Sequence, residues 1–113
     1  MRAFAHHSVT ISMPVSVGQY DWVMSLEVGE HLPQQFERTF IDNLQRHNTK
    51  GIILSWALDG QGGHGHFNER PISYIKNLFA QDGYINDIHS ETMLRASATL
   101  WWFKNTIMVF RRP

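Results

Sequence analysis

Cysteine is absent from all 113 residues. That excludes disulfides, thiolate nucleophiles and sulfur-ligated zinc, and it fits a reducing compartment. An excess of either charge is also missing, with ten Lys plus Arg against ten Asp plus Glu. No global field therefore draws the chain towards nucleic acid or acidic lipid. No apolar run approaches the about 20 residues of a membrane helix. The opening Met-Arg-Ala-Phe-Ala-His-His lacks the apolar stretch of a secretory signal, so a cytoplasmic, non-membrane protein is expected. Internal repeats and low-complexity tracts are lacking as well.

What is present is an ordinary globular composition, 42% hydrophobic, in a length suited to one core. An apolar strand over 21–26 runs directly into Glu27, Glu30 and His31. Continuous apolar strands belong to parallel sheets covered on both faces, and ligands bind beyond the carboxyl ends of such strands. Pro33 follows, and a helix is expected from about Gln34 to His47. Phe36, Phe40, Ile41 and Leu44 would face inward, with Glu37, Arg38, Asp42 and Gln45 outward. A second buried strand spans Gly51–Ala57. The following Asp59-Gly-Gln-Gly-Gly-His-Gly-His66 is too rich in glycine for regular structure.

Another amphipathic helix is expected over about 70–81, with Ile72, Ile75, Leu78 and Phe79 inward and Gly83 as its terminator. Tyr84–His89 alternates like a half-exposed strand, and Ser90 is placed to cap a short helix. Trp101, Trp102 and Phe103 read as core before a last strand at 106–111. Three strands joined by crossover helices would be parallel and the last antiparallel. The fold class is α/β, a mixed sheet with helices on both faces.

In this order, Asp21–His31, Gly51–Ala57 and His66-Phe-Asn-Glu-Arg70 with Gly83-Tyr84 beyond resemble class I S-adenosylmethionine (SAM)-dependent methyltransferases. The likeness runs from about Gly18 to the end. It implies the second half of a Rossmann-like domain, with an antiparallel last strand inserted between its two predecessors. Residues 20–113 would form that half. Residues 1–19 would be an irregular segment holding a remnant strand near Val9–Val15, with Thr10 where the family often has aspartate. The family's glycine-rich cofactor loop and ribose-binding acidic residue are missing from this sequence.

The resemblance implies SAM as cofactor, with Leu26 and Glu27 beside it and Glu27, Glu30 and His31 as catalytic residues acting on an unknown methyl acceptor. In two branches of the family a similar set, here Glu27, Glu30, His31 and His66, holds a divalent ion such as magnesium; His64 is a further candidate. The blander alternative has the glutamates capping the next helix and lining the pocket, with the histidines as polar loop residues. Gln61-Gly-Gly63 reads as an acceptor lid or a plain loop; it lacks the lysine and spacing of a phosphate loop. Ser25 and Ser55 have no nucleophile-elbow context. Without its first half, the strand at 21–26 would present a bare apolar edge open to self-association. Two readings follow: an oxygen methyltransferase awaiting its cofactor-binding half, or a non-catalytic module acting through protein association.

Overall fold

The computed structural model describes residues 19–58, 60–63 and 65–113. The remnant strand expected near Val9–Val15, and His64, lie outside the described residues. The elements in chain order are β1 (Tyr20–Leu26), α1 (Glu37–Arg46), β2 (Asn48–Ser55), α2 (Ile72–Gln81), β3 (Ile85–Asn86), α3 (Ile88–Ser97), α4 (Trp101–Thr106) and β4 (Met108–Arg111). Two 3-10 turns, Gly29–His31 and Gln34–Phe36, connect β1 to α1.

The sheet order is β1-β2-β4-β3. β1 and β2 are parallel, with Val23 opposite Ile52 and Ser25 opposite Leu54. β4 runs antiparallel to both its neighbours, β2 and β3. The last strand is thus inserted between its predecessors, as expected. Pairing alternation divides the side chains between two faces. Val23, Ile52, Leu54, Met108 and Phe110 join Phe40, Ile41 and Leu44 of α1, and Ile75 and Phe79 of α2, in one buried cluster. Phe79 stacks on Phe110 at 4.3 Å between ring centroids. On the opposite face α3 lies beside Trp22, Ile53, Val109 and Arg111, around an open pocket of about 270 Å3. That face is only partly covered, and Met24 on it is exposed.

Helix α2 ends as Gly83 requires. Its φ is +89°, its N–H donates to Ala80 O, and Tyr84 N–H reaches back to Phe79 O. This paired closure, with Tyr84 packed edge-on against Phe79, is a Schellman motif.

Four expectations need correction. The strand at 84–89 shrinks to two residues, because Asp87 caps α3 by accepting from Ser90 N–H. Ser90 is therefore inside the helix rather than its cap. Trp101 is 59% exposed on α4, not core, because α4 packs against α3 and leaves this side chain outward. Glu37 is buried rather than outward, drawn in by partners on the loop before α2 and on α2 itself.

Candidate functional site

Strand β1 stops at Leu26, and the next residue turns sharply. Glu27 has φ +53°, the left-handed region that a side chain disfavours. Its backbone N–H donates to Ser55 O at 3.3 Å and Ser55 Oγ at 2.9 Å. The Ser55 hydroxyl in turn donates to Glu27 Oε2 at 3.0 Å. Gln61 Nε2 donates to the other carboxylate oxygen at 3.2 Å. Glu27 is therefore tied to the end of β2 and to the glycine-rich loop beyond it.

The 3-10 turn Gly29–His31 then sends its residues in opposite directions. Gly29 must be glycine here, because the Trp56 ring packs on its backbone where a Cβ would approach to 2.4 Å. Glu30 is fully buried. Its Oε1 accepts from Ala57 N–H at 2.9 Å, while Oε2 has no hydrogen-bond partner among the described residues. Burial pushes the Glu30 carboxyl up to about 7, opposed by backbone N–H donors and reinforced by the charge of Glu27. The Glu30 carbonyl also accepts from Phe67 and Asn68 N–H, pulling the loop before α2 against the turn.

His31 is exposed. Its Nδ1 lies 3.1 Å from Gly65 O, and its ring meets that of His66 edge-on at 4.7 Å. His66 Nδ1 lies 2.8 Å from Glu69 Oε2, which also accepts from Gly62 N–H at 2.8 Å. Gly60 N–H donates to Glu69 Oε1 at 3.2 Å. The His66 hydrogen bond and the two glycine amides hold the Glu69 carboxyl below its ordinary range, slight desolvation notwithstanding.

Glu27, Glu30, His31 and His66 are thus brought to one end of the sheet, beyond the carboxyl ends of β1 and β2. They are not brought together as a metal set. Among the described residues no group of three or more His, Asp or Glu side chains is arranged to hold an ion. The physical reason lies in their partners. Glu27 is engaged by Ser55 and Gln61, Glu30 is sealed against Ala57, and His66 is turned towards Glu69. Leu26 is half-buried at the end of β1, beside Glu27.

The sequence reading missed Glu69 and Ser55 as members of this site, and it read Gln61 as part of an acceptor lid or a plain loop rather than as a partner of Glu27. The spacing of His66 and Glu69, three apart next to a glycine run, was the available signal for Glu69. Ser55 carried none, because its role depends on register: Leu26 lies opposite Ser55, which brings the hydroxyl to the start of the turn.

No family model and no curated protein matches the chain. Solved structures similar to it include two of magnesium protoporphyrin IX methyltransferase from Synechocystis PCC 6803. The one with bound SAM is 19% identical, with a TM-score of 0.54 over 85% of this chain and 40% of that one. The one with bound SAH is 16% identical, with a TM-score of 0.57 over 91% of this chain and 50% of that one. The fold is methyltransferase-like, and the chain spans half or less of the length of these neighbours.

Proposed function

We propose that this chain supplies the acceptor-facing half of a SAM-dependent methyltransferase domain and takes part in methyl transfer to oxygen. The observation that supports the reading most is the Glu27–His31 turn. It lies beyond the carboxyl end of β1, faces the 60–66 loop, and belongs to a fold shared with enzymes crystallised with SAM and SAH.

The residues fit such a cofactor on one side. Leu26 and Glu27 would border its methionine end, the strained Glu27 backbone holding its carboxylate in place. The described residues carry no glycine-rich turn to approach it from the other side, so the adenosine end would be held by the complementary half. When bound, SAM supplies an electrophilic methyl carbon on a sulfonium centre. Exposed His31 is the group able to take a proton from an acceptor hydroxyl, its ring oriented by Gly65 O and His66. The Glu27 carboxylate places negative charge at this end of the site, which favours a cationic sulfonium. Fixing the acceptor against the methyl carbon is the larger contribution, because displacement demands in-line approach.

The second reading, a non-catalytic scaffold, is favoured by the share of the neighbours' length that the chain covers. β1 stands at one end of the strand order among the described residues, and end strands are where further strands or second copies add to a sheet. Calorimetric titration of SAM into the purified chain separates the readings. Micromolar binding, weakened at least tenfold by Glu27→Ala, is expected if this half contributes to the cofactor site. A folded chain that takes up no SAM would overturn cofactor binding by this half and leave the scaffold reading.

A further inference from the structure

Among the described residues β1 ends the strand order, with β2 as its one neighbour. Its sequence, Tyr-Asp-Trp-Val-Met-Ser-Leu, holds a single charge, Asp21, and neither lysine nor proline. Those two residues are among the devices with which sheets guard a terminal strand against further pairing. Which backbone groups face away from β2 follows from one hydrogen bond. Glu27 N–H donates across to Ser55 O. Backbone groups alternate in direction along an extended strand, so Val23 and Ser25 turn their N–H and C=O towards β2 as well. Trp22, Met24 and Leu26 turn theirs the other way.

The side chains divide along the same line. Val23 is buried in the core cluster under α1. Trp22 and Met24 lie on the partly covered face, Trp22 bordering the open pocket there and Met24 38% exposed. The residues whose backbone points outward along the sheet therefore also carry the apolar side chains that this face leaves open.

A second copy of the chain fits this edge because the strand complements itself in one antiparallel register. With a two-fold axis at Val23, Trp22 of each copy lies opposite Met24 of the other, and Asp21 lies opposite Ser25. The outward backbone groups of Trp22 and Met24 then bond to each other. Their side chains form aromatic–thioether pairs across the strands on the open face. Moving the axis to Met24 would set Asp21 against Glu27 of the second copy, two carboxylates face to face. Moving it to Ser25 would leave Trp22 opposite Val28, beyond the end of the strand.

We propose that the chain associates with itself through β1, antiparallel about Val23, joining two sheets into one. The interface is isologous, each copy offering the same strand to the other. It does not rest on methyl transfer. A complementary half that added its own strand beside β1 would compete with the second copy for the same edge.

The test is made on the full chain, without SAM, by sedimentation equilibrium and amide hydrogen exchange. The average mass is expected to rise towards that of two chains between about 1 and about 100 µM, the range of a small interface. At the upper end the Trp22 and Met24 amides are expected to exchange at least twofold more slowly, with a smaller change at Val23 and Ser25. Met24→Lys, which sets a charge against Trp22 of the second copy, is expected to weaken association at least tenfold. In a mixture of 13C-labelled and unlabelled chain, a cross-chain Hα–Hα contact is expected between Val23 and Val23 of the second copy. They would face each other as a closely spaced, non-hydrogen-bonded pair. A chain that stays monomeric throughout overturns the proposal, as does association that a folded Met24→Lys variant leaves unchanged. Should that variant fail to fold, Trp22 and Met24 amides that exchange equally fast in the wild-type dimer and monomer overturn it instead. A cross-chain contact centred on another residue overturns the register. The SAM titration reads a different part of the chain, so either experiment can fail alone.

Discussion

Glu30 and Glu37 are both buried carboxylates on the segment between β1 and the start of α1, yet their surroundings are opposite. Glu37 is saturated with donors: Asn68 Nδ2 at 2.9 Å, Arg70 Nε at 3.0 Å and the Tyr74 hydroxyl. Burial alone would raise its carboxyl, but the Tyr74, Asn68 and Arg70 hydrogen bonds outweigh it and keep Glu37 below its ordinary range. The Arg70 guanidinium also sits over the Tyr74 ring at 4.3 Å. Glu30 has one side-chain hydrogen bond, from Ala57, and Glu27 as a charged neighbour. A carboxylate that fastens structure collects donors until its charge is solvated. One left short of donors keeps its proton near neutral pH, and chemistry draws on such groups. Glu37 is thus a fastener between α1 and α2, and Glu30 belongs to the site.

Breaking the saturated side carries the largest effect. Glu37→Ala strands three donors, one of them a guanidinium, in a region where little water reaches them. Loss of one partner of a buried pair costs about 3 kcal/mol or more. Urea denaturation at pH 7 is expected to show a loss of about 3 kcal/mol, with Glu37→Gln recovering part of it through its remaining carbonyl oxygen. A loss under about 1 kcal/mol would mean that Glu37 is no fastener.

The pH dependence sharpens the contrast, because the two groups act with opposite sign. The Glu30 carboxyl is raised in the folded chain, so its stabilising contribution is complete below the unfolded value of about 4.3. It is lost as pH rises through about 7. Glu37 is lowered, so its contribution is present above the unfolded value and lost as pH falls below it. Between about pH 4.5 and 7.5 the chain is expected to lose about 2 kcal/mol through Glu30, discounting the full shift because Glu27 shares the charge. Glu30→Gln should flatten that slope while leaving the acid limb. Equal slopes in variant and wild type would remove Glu30 from the account.

How far the sequence discloses this contrast depends on how local each signal is. β1, α1, β2 and α2 follow from apolar periodicity, and the glycine at 83 marks where α2 stops. Glu27, Glu30, His31 and His66 gather at one end because strand, turn and loop follow one another, and that order is written in the chain. Glu37 is misread from periodicity alone, since its partners lie 31 to 37 residues downstream and its own helix gives no hint of them. The shortened β3 has the reverse cause. Asp87 caps α3 locally, and a cap three residues before Ser90 competes with the alternating pattern and wins. Ser55 and Glu69 enter the site through register and loop closure, which a linear pattern does not encode.

The smallest effect tests why Glu27 tolerates its backbone. At φ +53° a residue with a Cβ is strained, and the Ser55 and Gln61 hydrogen bonds to its carboxylate are what offset that strain. Removing the carboxylate in two ways separates the terms. Glu27→Ala loses both hydrogen bonds and keeps the strain. Glu27→Gly loses the same bonds and relieves it, though glycine also gains freedom in the unfolded chain. The glycine variant is expected to be the more stable of the two by about 1 kcal/mol in urea denaturation at pH 7. Both should lie below the wild type if the bonds to Ser55 and Gln61 contribute more than the strain costs. If Glu27→Gly instead exceeds the wild type, the left-handed turn is held at a net cost to stability. Glu27 would then join Glu30 on the side of the comparison where stability is given up for the site.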